Sequence, residues 1–566
     1  RVRYMGTPHD GRRGGDMSRT ERPWLEVYEK GRVEPETWIF EDSLYELFSR
    51  AVEEHRGKTA LSFYRTTFEF GRLQALVEKM AASLSASGVE KGDRVALMLP
   101  NCPQYVVSFF ATVKLGAIVT QINPMYVERE IEHILNDSGA ETIVVYADMY
   151  ERVKDVLPDT NLKTVIVVDF EGEPEGLGAG HRSFGDFLTT DTDSAPEVDI
   201  DPAEDVAALQ YTGGTTGESK GAMLTHRNLV ANVQQTIDVF VRDPAQFTGR
   251  RCVGALPFFH IYGLTCVMLF GIKLGIEQVL LPRFEVNEAL AVFENDRPTM
   301  FSGVPTMYMA LLASGADLRK HHLHDVQIFN SGGSALPVNL KRSFEEKVGK
   351  PLFEGYGLSE ASPVTHNNPP FLGQGREGSI GIPIPSTDAR VVDVETGETE
   401  LPVGESGELI IKGPQVMKGY LNLPDETAET LKDGWLYTGD VAKMDESGYF
   451  YIVDRKKDMI VASGYNVYPR EIEEVLFEHP DVAEAVAIGV ADEYRGESVK
   501  AFVVKRSGAR ATEEDVLAFC KERLAAYKTP KAVEFREELP KSAVGKLLRR
   551  VLVDEERAKT AATPQS

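Results

Sequence analysis

Cysteine is scarce in this chain. Four occur in 566 residues (Cys102, Cys252, Cys266 and Cys520), and no two are spaced as CxxC. That scarcity argues against a disulfide framework and a cysteine-ligated zinc site, and points to a reducing cytoplasm. Positive charge is also short: 62 Lys and Arg stand against 87 Asp and Glu, a net charge of −25. Nucleic acid and an anionic membrane surface would both be repelled, which leaves room only for weak peripheral membrane contact. The opening RVRYMGTPHDGRRGGDMSRTERPW has no apolar segment of the kind a secretory signal needs. It reads as a flexible tail over residues 1–24, and Met17 offers an internal translation start.

Long uncharged runs are few. The run from Cys252 to Ile272, CVGALPFFHIYGLTCVMLFGI, has about 20 residues, the length of a membrane span. Pro257 and His260 interrupt it, and Arg250 and Arg251 abut its start. It is read instead as a buried strand, a functional loop at 257–263 and a buried helix, so no transmembrane segment is expected. No repeat of 20 to 50 residues is visible.

What is present is ample apolar material, 42 % of the chain, enough for a globular enzyme rather than a disordered protein. The length implies two or more domains. From about 41 to 300, short apolar runs alternate with helical patterns. DRVALMLP, TIVVYA, TVIVVD and DVAALQYT read as strands, CPQYVVSFFATVKLG as an amphipathic helix ending at Gly116, and HRNLVANVQQTIDVF as a helix capped by Thr225. TMFSGVP, VQIFNSGG and PLFEGYG are further strands ending in small-residue loops. This alternation predicts an α/β fold of parallel sheets covered by helices, with ligands at the carboxyl ends of the strands. Near 385 the pattern changes to strands joined by glycine turns, predicting an antiparallel, barrel-like subdomain. From about Val461 a smaller α+β unit follows, with PREIEEVLFEH and TEEDVLAFCKERLAA as helices and VAEAVAIGV and VKAFVVK as strands. The expected division is a large N-terminal domain at 25–456, hinged to a small C-terminal domain at 457–555, then a flexible tail at 556–566.

The stretch YTGGTTGESKG (Tyr211 to Gly221) has the composition of a phosphate-binding loop. The NTPase loop G-x-x-x-x-G-K-[ST] fails here: Ser219 stands where its second glycine should be, and Gly221 follows Lys220 where Ser or Thr should be. Glycines still let backbone N–H groups approach an anion, and hydroxyls add donors. A loop of this kind suits a polyphosphate that departs during reaction.

The extended stretch YTGGTTGESKGAMLTHRNL closely resembles the loop of the adenylate-forming superfamily, which includes acyl-CoA synthetases, luciferases and peptide-synthetase adenylation domains. LPFFHIYGL, NSGGSALP, YGLSEASP, GELIIKGPQVMKGYLN, DGWLYTGD, DRKKDMIVASGYNVYP and LPKSAVGKLLRR match it in order, across roughly residues 25 to 555. The opening segment RPWLEVYEKG, with SGYNVYPREIEEVL and LPKSAVGKLLRR, looks most like long-chain fatty acid–CoA ligases. That resemblance implies a two-step reaction. A carboxylate attacks the α-phosphate of ATP to give acyl-AMP and pyrophosphate, and coenzyme A then displaces AMP.

The resemblance also assigns residues. Lys546 bridges the carboxylate and the α-phosphate. Thr212, Gly213, Gly214, Thr215, Thr216, Gly217 and Lys220 hold the β- and γ-phosphates, and Lys220 assists the departing group. Glu360, with Thr212, ligates Mg²⁺. Gly333, Ser334, Ala335, Glu354, Gly355, Tyr356, Gly357 and Ser359 form the adenine side, with Tyr356 stacked on the base. Asp440 and Arg455 contact the ribose. Lys457 is the hinge, Gly464 lines the coenzyme A path, and His260 gates the carboxylate, although a histidine in an apolar stretch is also a common core residue. Val461 departs from the Lys that many relatives carry, so a phosphate contact there does not transfer. His321, His322 and His324 are read as a solvated turn rather than a metal site. No Asp near LPFFHIYGL is available to hold an α-ammonium group, which argues against amino acids as substrate; alkyl and aryl acids both remain. A luciferase-type oxygenase and a non-catalytic binder rank lower, because Lys546, Glu360 and the glycine loop are all present. The assembly is left open, with a homodimer as one form.

The acid excess can mark a salt-adapted protein as well as an ordinary acidic one. If salt-adapted, activity and thermal midpoint should rise between about 0.1 M and about 1 M salt, where the screening length contracts from ~10 Å to ~3 Å. Activity and stability undiminished in low salt would overturn the idea.

Overall fold

The structure is a computed structural model, and it describes residues 22–37, 39, 41–189, 194–212, 219–462, 465–492, 496–542, 545 and 547–562. Two large sheets dominate. In the first, of eight strands, Val206–Thr212 lies beside Ile118–Gln121, then Arg94–Met98, Thr142–Tyr146 and Thr164–Val168, all parallel. These are the apolar runs expected as strands, and they are nearly continuous because both faces are covered. In the second, of nine strands, Glu277–Leu280, Arg251–Gly254, Met300–Gly303, Ile328–Ser331 and Leu352–Gly357 run parallel in that spatial order. Side chains of both sheets belong to one continuous core.

Two helices show how local signals meet packing. His226–Phe240 begins where expected: the Thr225 hydroxyl accepts from Asn228 N–H, and the Asn228 side chain accepts from Thr225 N–H. Pro103–Lys114 was expected to be amphipathic, yet every residue from Tyr105 to Val113 is buried. A helix enclosed on all sides needs no polar face. The uncharged run resolves as read: the strand Arg251–Gly254, a loop, and a buried helical segment from Ile261 to Leu274 that passes through a π-helical stretch at Leu264–Leu269. Among the described residues no helix is long and apolar enough to cross a membrane.

The region after 385 forms a five-stranded antiparallel sheet of Asp388–Val392, Gly407–Lys412, Leu431–Lys432, Trp435–Met444 and Phe450–Arg455. The last unit has a separate core, built from residues such as Ile460, Ile472, Leu476 and Val503. Its sheet is flanked by Pro469–Glu478, Glu513–Arg523 and Arg549–Ala562.

Residues 22–24 and 556–562, expected within the tails, are structured. Trp24 is buried against Phe450 with ring centroids 6.0 Å apart, and Arg22 pairs with Asp388 at 2.6 Å. At the other end the helix continues to Ala562, and Glu556 pairs with Lys500 at 2.8 Å. Neither anchor had a local signal, since each depends on a distant partner.

His226 is fully buried, its Nδ1 accepts from Leu44 N–H at 3.2 Å, and burial pulls its pKa from 6.5 down to about 4. Protonation at Nδ1 would break that bond. The unfolded chain therefore binds the proton first as pH falls. The stability that neutral His226 supplies is complete above about pH 6.5 and is lost as pH falls through about 4, a loss of up to about 3 kcal/mol. Thermal denaturation across that window should show the decline, and His226→Gln should make it shallower.

Candidate active site

The carboxyl ends of the central strands open into one cleft of about 2040 Å³, closed on the far side by the C-terminal unit. Thr212 ends its strand there and faces Lys220 across an antiparallel pair. The base of this hairpin is fixed by Tyr211 Oη donating to Asp137 at 2.7 Å and by His133 Nε2 lying 2.9 Å from Ser219 O. Lys220 Nζ is ion-paired with Glu426.

The strand Leu352–Gly357 supplies the next group. Glu354 is buried, and its carboxylate accepts from Leu336 N–H at 3.2 Å, so this side chain anchors the loop bearing Gly333, Ser334 and Ala335. Burial lifts its pKa from 4.5 to about 7, opposed by Arg470. Tyr356 Oη donates to Asp440 Oδ2 at 2.5 Å, and burial with the neighbouring Asp440 charge holds the phenol well above its ordinary range. Gly357 has no alternative here, because a Cβ would stand 2.2 Å from Pro363 O. Glu360 follows on a short turn, its Oε1 accepting from Tyr420 Oη at 2.7 Å.

Asp440 and Arg455 are register partners on adjacent antiparallel strands, with Arg455 Nε 3.2 Å from Asp440 Oδ1. The Asp440 charge is the main reason the guanidinium is raised above its usual value. Two residues on, Lys457 is exposed yet shifted downward, first by desolvation and then by Arg455. His260 caps the helical segment beginning at Ile261, with Nδ1 accepting from Tyr262 N–H at 3.2 Å, and it also lines the cleft. Phe240, Ile261, Cys266, Met300 and Met309 give the same cleft an apolar share of its lining.

The C-terminal unit closes the cleft through specific bonds. Asp454 is buried, and accepts from the N–H groups of Arg455 at 2.7 Å and Arg470 at 2.8 Å. Arg549 reaches Asp454 at 3.6 Å, Asp458 at 2.9 Å and Glu473 at 2.6 Å. Gly545 lies so close to Thr306 of the large domain that a Cβ would meet Thr306 Oγ1 at 2.3 Å.

Thr212, Lys220, His260, Gly333, Ser334, Ala335, Glu354, Gly355, Tyr356, Gly357, Ser359, Glu360, Asp440, Arg455 and Lys457 thus line one cavity although they come from well-separated parts of the sequence. Gly213, Gly214, Thr215, Thr216, Gly217, Gly464 and Lys546 lie outside the described residues. The histidine turn is separate: His321 Nδ1 lies 3.0 Å from Glu294 Oε2, while His322 and His324 share Asp325 with Arg297. Their ring nitrogens and the Asp325 carboxylate come within 4.8 Å of one another, but Arg297 already places a cation on that carboxylate at 3.1 Å. Sequence reasoning passed over Tyr420, Glu426, Arg470 and Arg549. Tyr420 stood within a quoted motif, and Arg549 in the basic run KLLRR, but their partners are distant in sequence.

This arrangement defines a nucleotide-binding α/β enzyme built of a large unit and a small C-terminal one. More particularly, the chain belongs to the AMP-binding enzyme family: residues 48–421 match the AMP-binding enzyme model and 471–546 the AMP-binding enzyme C-terminal domain. The chain is 45 % identical to a long-chain-fatty-acid–CoA ligase of Bacillus subtilis, covering 95 % of this chain and 98 % of that protein. It is 36 % identical to 4-coumarate–CoA ligase 2 of Oryza sativa, covering 88 % of each. Among solved structures it resembles ATP-bound MatB from Rhodopseudomonas palustris (TM-score 0.81, 32 % identity, 91 % of this chain and 99 % of that one). It also resembles the anthranilate CoA ligase AuaEII with anthranoyl-AMP (TM-score 0.83, 28 % identity, 92 % and 98 %).

Arg549→Ala leaves Asp454, Asp458 and Glu473 without their shared cation. Removing one partner from a largely buried ion network costs about 3 to 5 kcal/mol. The expected result is a lower first thermal transition and faster limited proteolysis near 456–464, with the large domain intact. Unchanged proteolysis would show that the network does not hold the two units together.

Proposed function

We propose that this chain is an acid–thiol ligase that converts a fatty acid, ATP and coenzyme A into acyl-CoA, AMP and pyrophosphate, with long-chain acids preferred. The observation that carries the reading is the mixed lining of the cleft. Charged and hydroxyl groups suited to a nucleotide share it with apolar side chains such as Phe240, Ile261, Met300 and Met309. Each buried CH₂ contributes roughly 0.8 kcal/mol, so apolar lining of this kind favours an alkyl chain. An aryl acid is the second reading, favoured by the likeness to the rice 4-coumarate ligase and to AuaEII.

A carboxylate is a poor electrophile, and its approach to a triphosphate brings like charges together, so positioning and charge neutralisation are the main tasks. Tyr356 and the loop Gly333–Ala335 take the adenine. Asp440, oriented by the Tyr356 hydroxyl and by Arg455, takes the ribose hydroxyls. Lys220 neutralises the β- and γ-phosphates. Glu360 and the Thr212 hydroxyl are hard oxygen donors at one end of the cleft, a set that fits Mg²⁺. When bound, that ion would supply charge neutralisation along the triphosphate. Lys546 holds the attacking carboxylate and the α-phosphate; in support, its sequence neighbour Gly545 packs on Thr306 at the cleft. His260 controls admission of the carboxylate.

The thiol step follows a turn of the small domain about Lys457, which withdraws Lys546 and brings Gly464 to the coenzyme A path. The four cysteines are buried free thiols, consistent with a reducing cytoplasm.

An assay of pyrophosphate release with fatty, aryl and amino acids, with and without coenzyme A, tests the reading. Release should depend on fatty acid. Release only with aryl acids selects the second reading, and release with none overturns both. Lys546→Ala should lower acyl-AMP formation at least about a hundredfold while leaving thiolysis of supplied acyl-AMP largely intact. Near-normal adenylation would remove Lys546 from its role.

A further inference from the structure

The segment Gly419–Tyr420 adds an antiparallel strand to the hairpin of the phosphate loop, with Tyr420 opposite Ala222 and Gly419 opposite Met223. Leu421 N–H donates to Gly221 O at 2.8 Å, which extends the pairing toward Lys220. The helix Pro424–Thr430 follows, tied back by Tyr420 N–H donating to Thr427 Oγ1 at 2.9 Å. This short stretch carries two side chains onto the polar end of the cleft. Glu426 is ion-paired with Lys220, while Tyr420 places its ring 5.5 Å from Lys220 Nζ and its hydroxyl 2.7 Å from Glu360.

Lys220 therefore does not wait as a free cation. Its Nζ is held by a carboxylate on one side and faces an aromatic ring on the other. The side chains are 19 % exposed for Lys220 and 41 % for Glu426, so the anion sits at the solvent edge and can swing away. A nucleotide whose terminal phosphates reach Lys220 must displace Glu426. The converse holds after the reaction. As pyrophosphate leaves, Glu426 returns to Lys220, so the cation is never left bare.

We infer that Glu426, seated beside Tyr420, is a displaceable counter-anion for Lys220 that loosens the hold on pyrophosphate and speeds its release. The inference rests on the ligase reading. Glu426 is a positioning residue: it acts through Lys220 and touches no reacting atom. Tyr420 supports it by keeping Glu360 oriented while Lys220 changes partner.

Glu426→Gln tests it, since the side chain is partly exposed and the change is nearly isosteric. Calorimetry of pyrophosphate binding to the wild-type protein and the variant decides the inference directly. Inhibition of acyl-hydroxamate formation by pyrophosphate and by AMP gives the kinetic counterpart. The variant should bind pyrophosphate about fivefold more tightly, as expected for removing one competing ion pair at a partly exposed site. Inhibition by AMP, which lacks the β- and γ-phosphates, should be unchanged. Unaltered pyrophosphate affinity overturns the inference, and so does an equal shift for AMP, which would show a general change in cleft charge. A wild-type protein that activates no acid would instead defeat the ligase reading, while the calorimetric comparison would still decide the role of Glu426.

Discussion

The arrangement depends on one strand, Phe450–Arg455, and on the partners of its last two side chains. Arg455 lines the cleft and pairs with Asp440, its register partner on the adjacent strand. Asp454 borders the same cleft but is buried where the small unit's Arg470 N–H and Arg549 converge. One backbone segment thus serves the site and the domain junction together. Burial raises the Asp454 carboxyl to about 6, with Arg549 opposing that rise. Enclosure thus disfavours the Asp454 charge, and Arg549 offsets part of that cost. Opening that junction exposes Asp454 next to the residue that fixes Arg455. Seating of the small unit and order at the Asp440 side of the cleft are therefore linked through adjacent residues.

Much of this was legible in the sequence because it is locally encoded. Continuous apolar runs gave the parallel strands, Thr225 gave a helix start correct to the residue, and the described site residues of the motif loops, from Thr212 to Lys457, border one cavity. The parts that escaped are those that depend on distant partners. The helix Pro103–Lys114 lacks an exposed face because of what surrounds it, not because of its own pattern. Trp24 and Glu556 are anchored by residues hundreds or tens of positions away. Tyr420 and Glu426 carry no local signal, and only the strand pairing places them against Lys220 and Glu360. Glu354 shows a subtler limit: its motif places it at the nucleotide, but its carboxylate is buried and occupied with Leu336 N–H.

The overall charge of −25 poses a problem for a cleft that takes anionic ligands. Net charge acts at long range and is screened beyond about 10 Å at ~0.1 M salt, whereas the cleft works at contact distance. Among the described cations of its lining, Lys220, Arg455 and Arg549 are each matched by nearby carboxylates. A ligand oxygen that reaches one of these three meets a cation that already has a protein partner.

The two cations facing the nucleotide end are paired in physically different ways, and the difference assigns them different work. Asp440 is 5 % exposed, is bonded by Tyr356 as well as Arg455, and lies within a regular strand pair. Moving it would strip a buried charge of two partners, a cost well above that of an exposed pair. Arg455 and Asp440 therefore remain together and present a fixed edge. Glu426 sits on a seven-residue helix at the solvent edge, where breaking its pair costs little because water replaces Lys220. A ligand can exchange with Glu426 but not with the Arg455–Asp440 pair. In the proposed reaction, the end of the nucleotide that stays through the first chemical step meets the fixed pair, and the end that departs meets the exchangeable one. The same burial gradient that stabilises the fold thus sorts the site into a part that orients and a part that lets go.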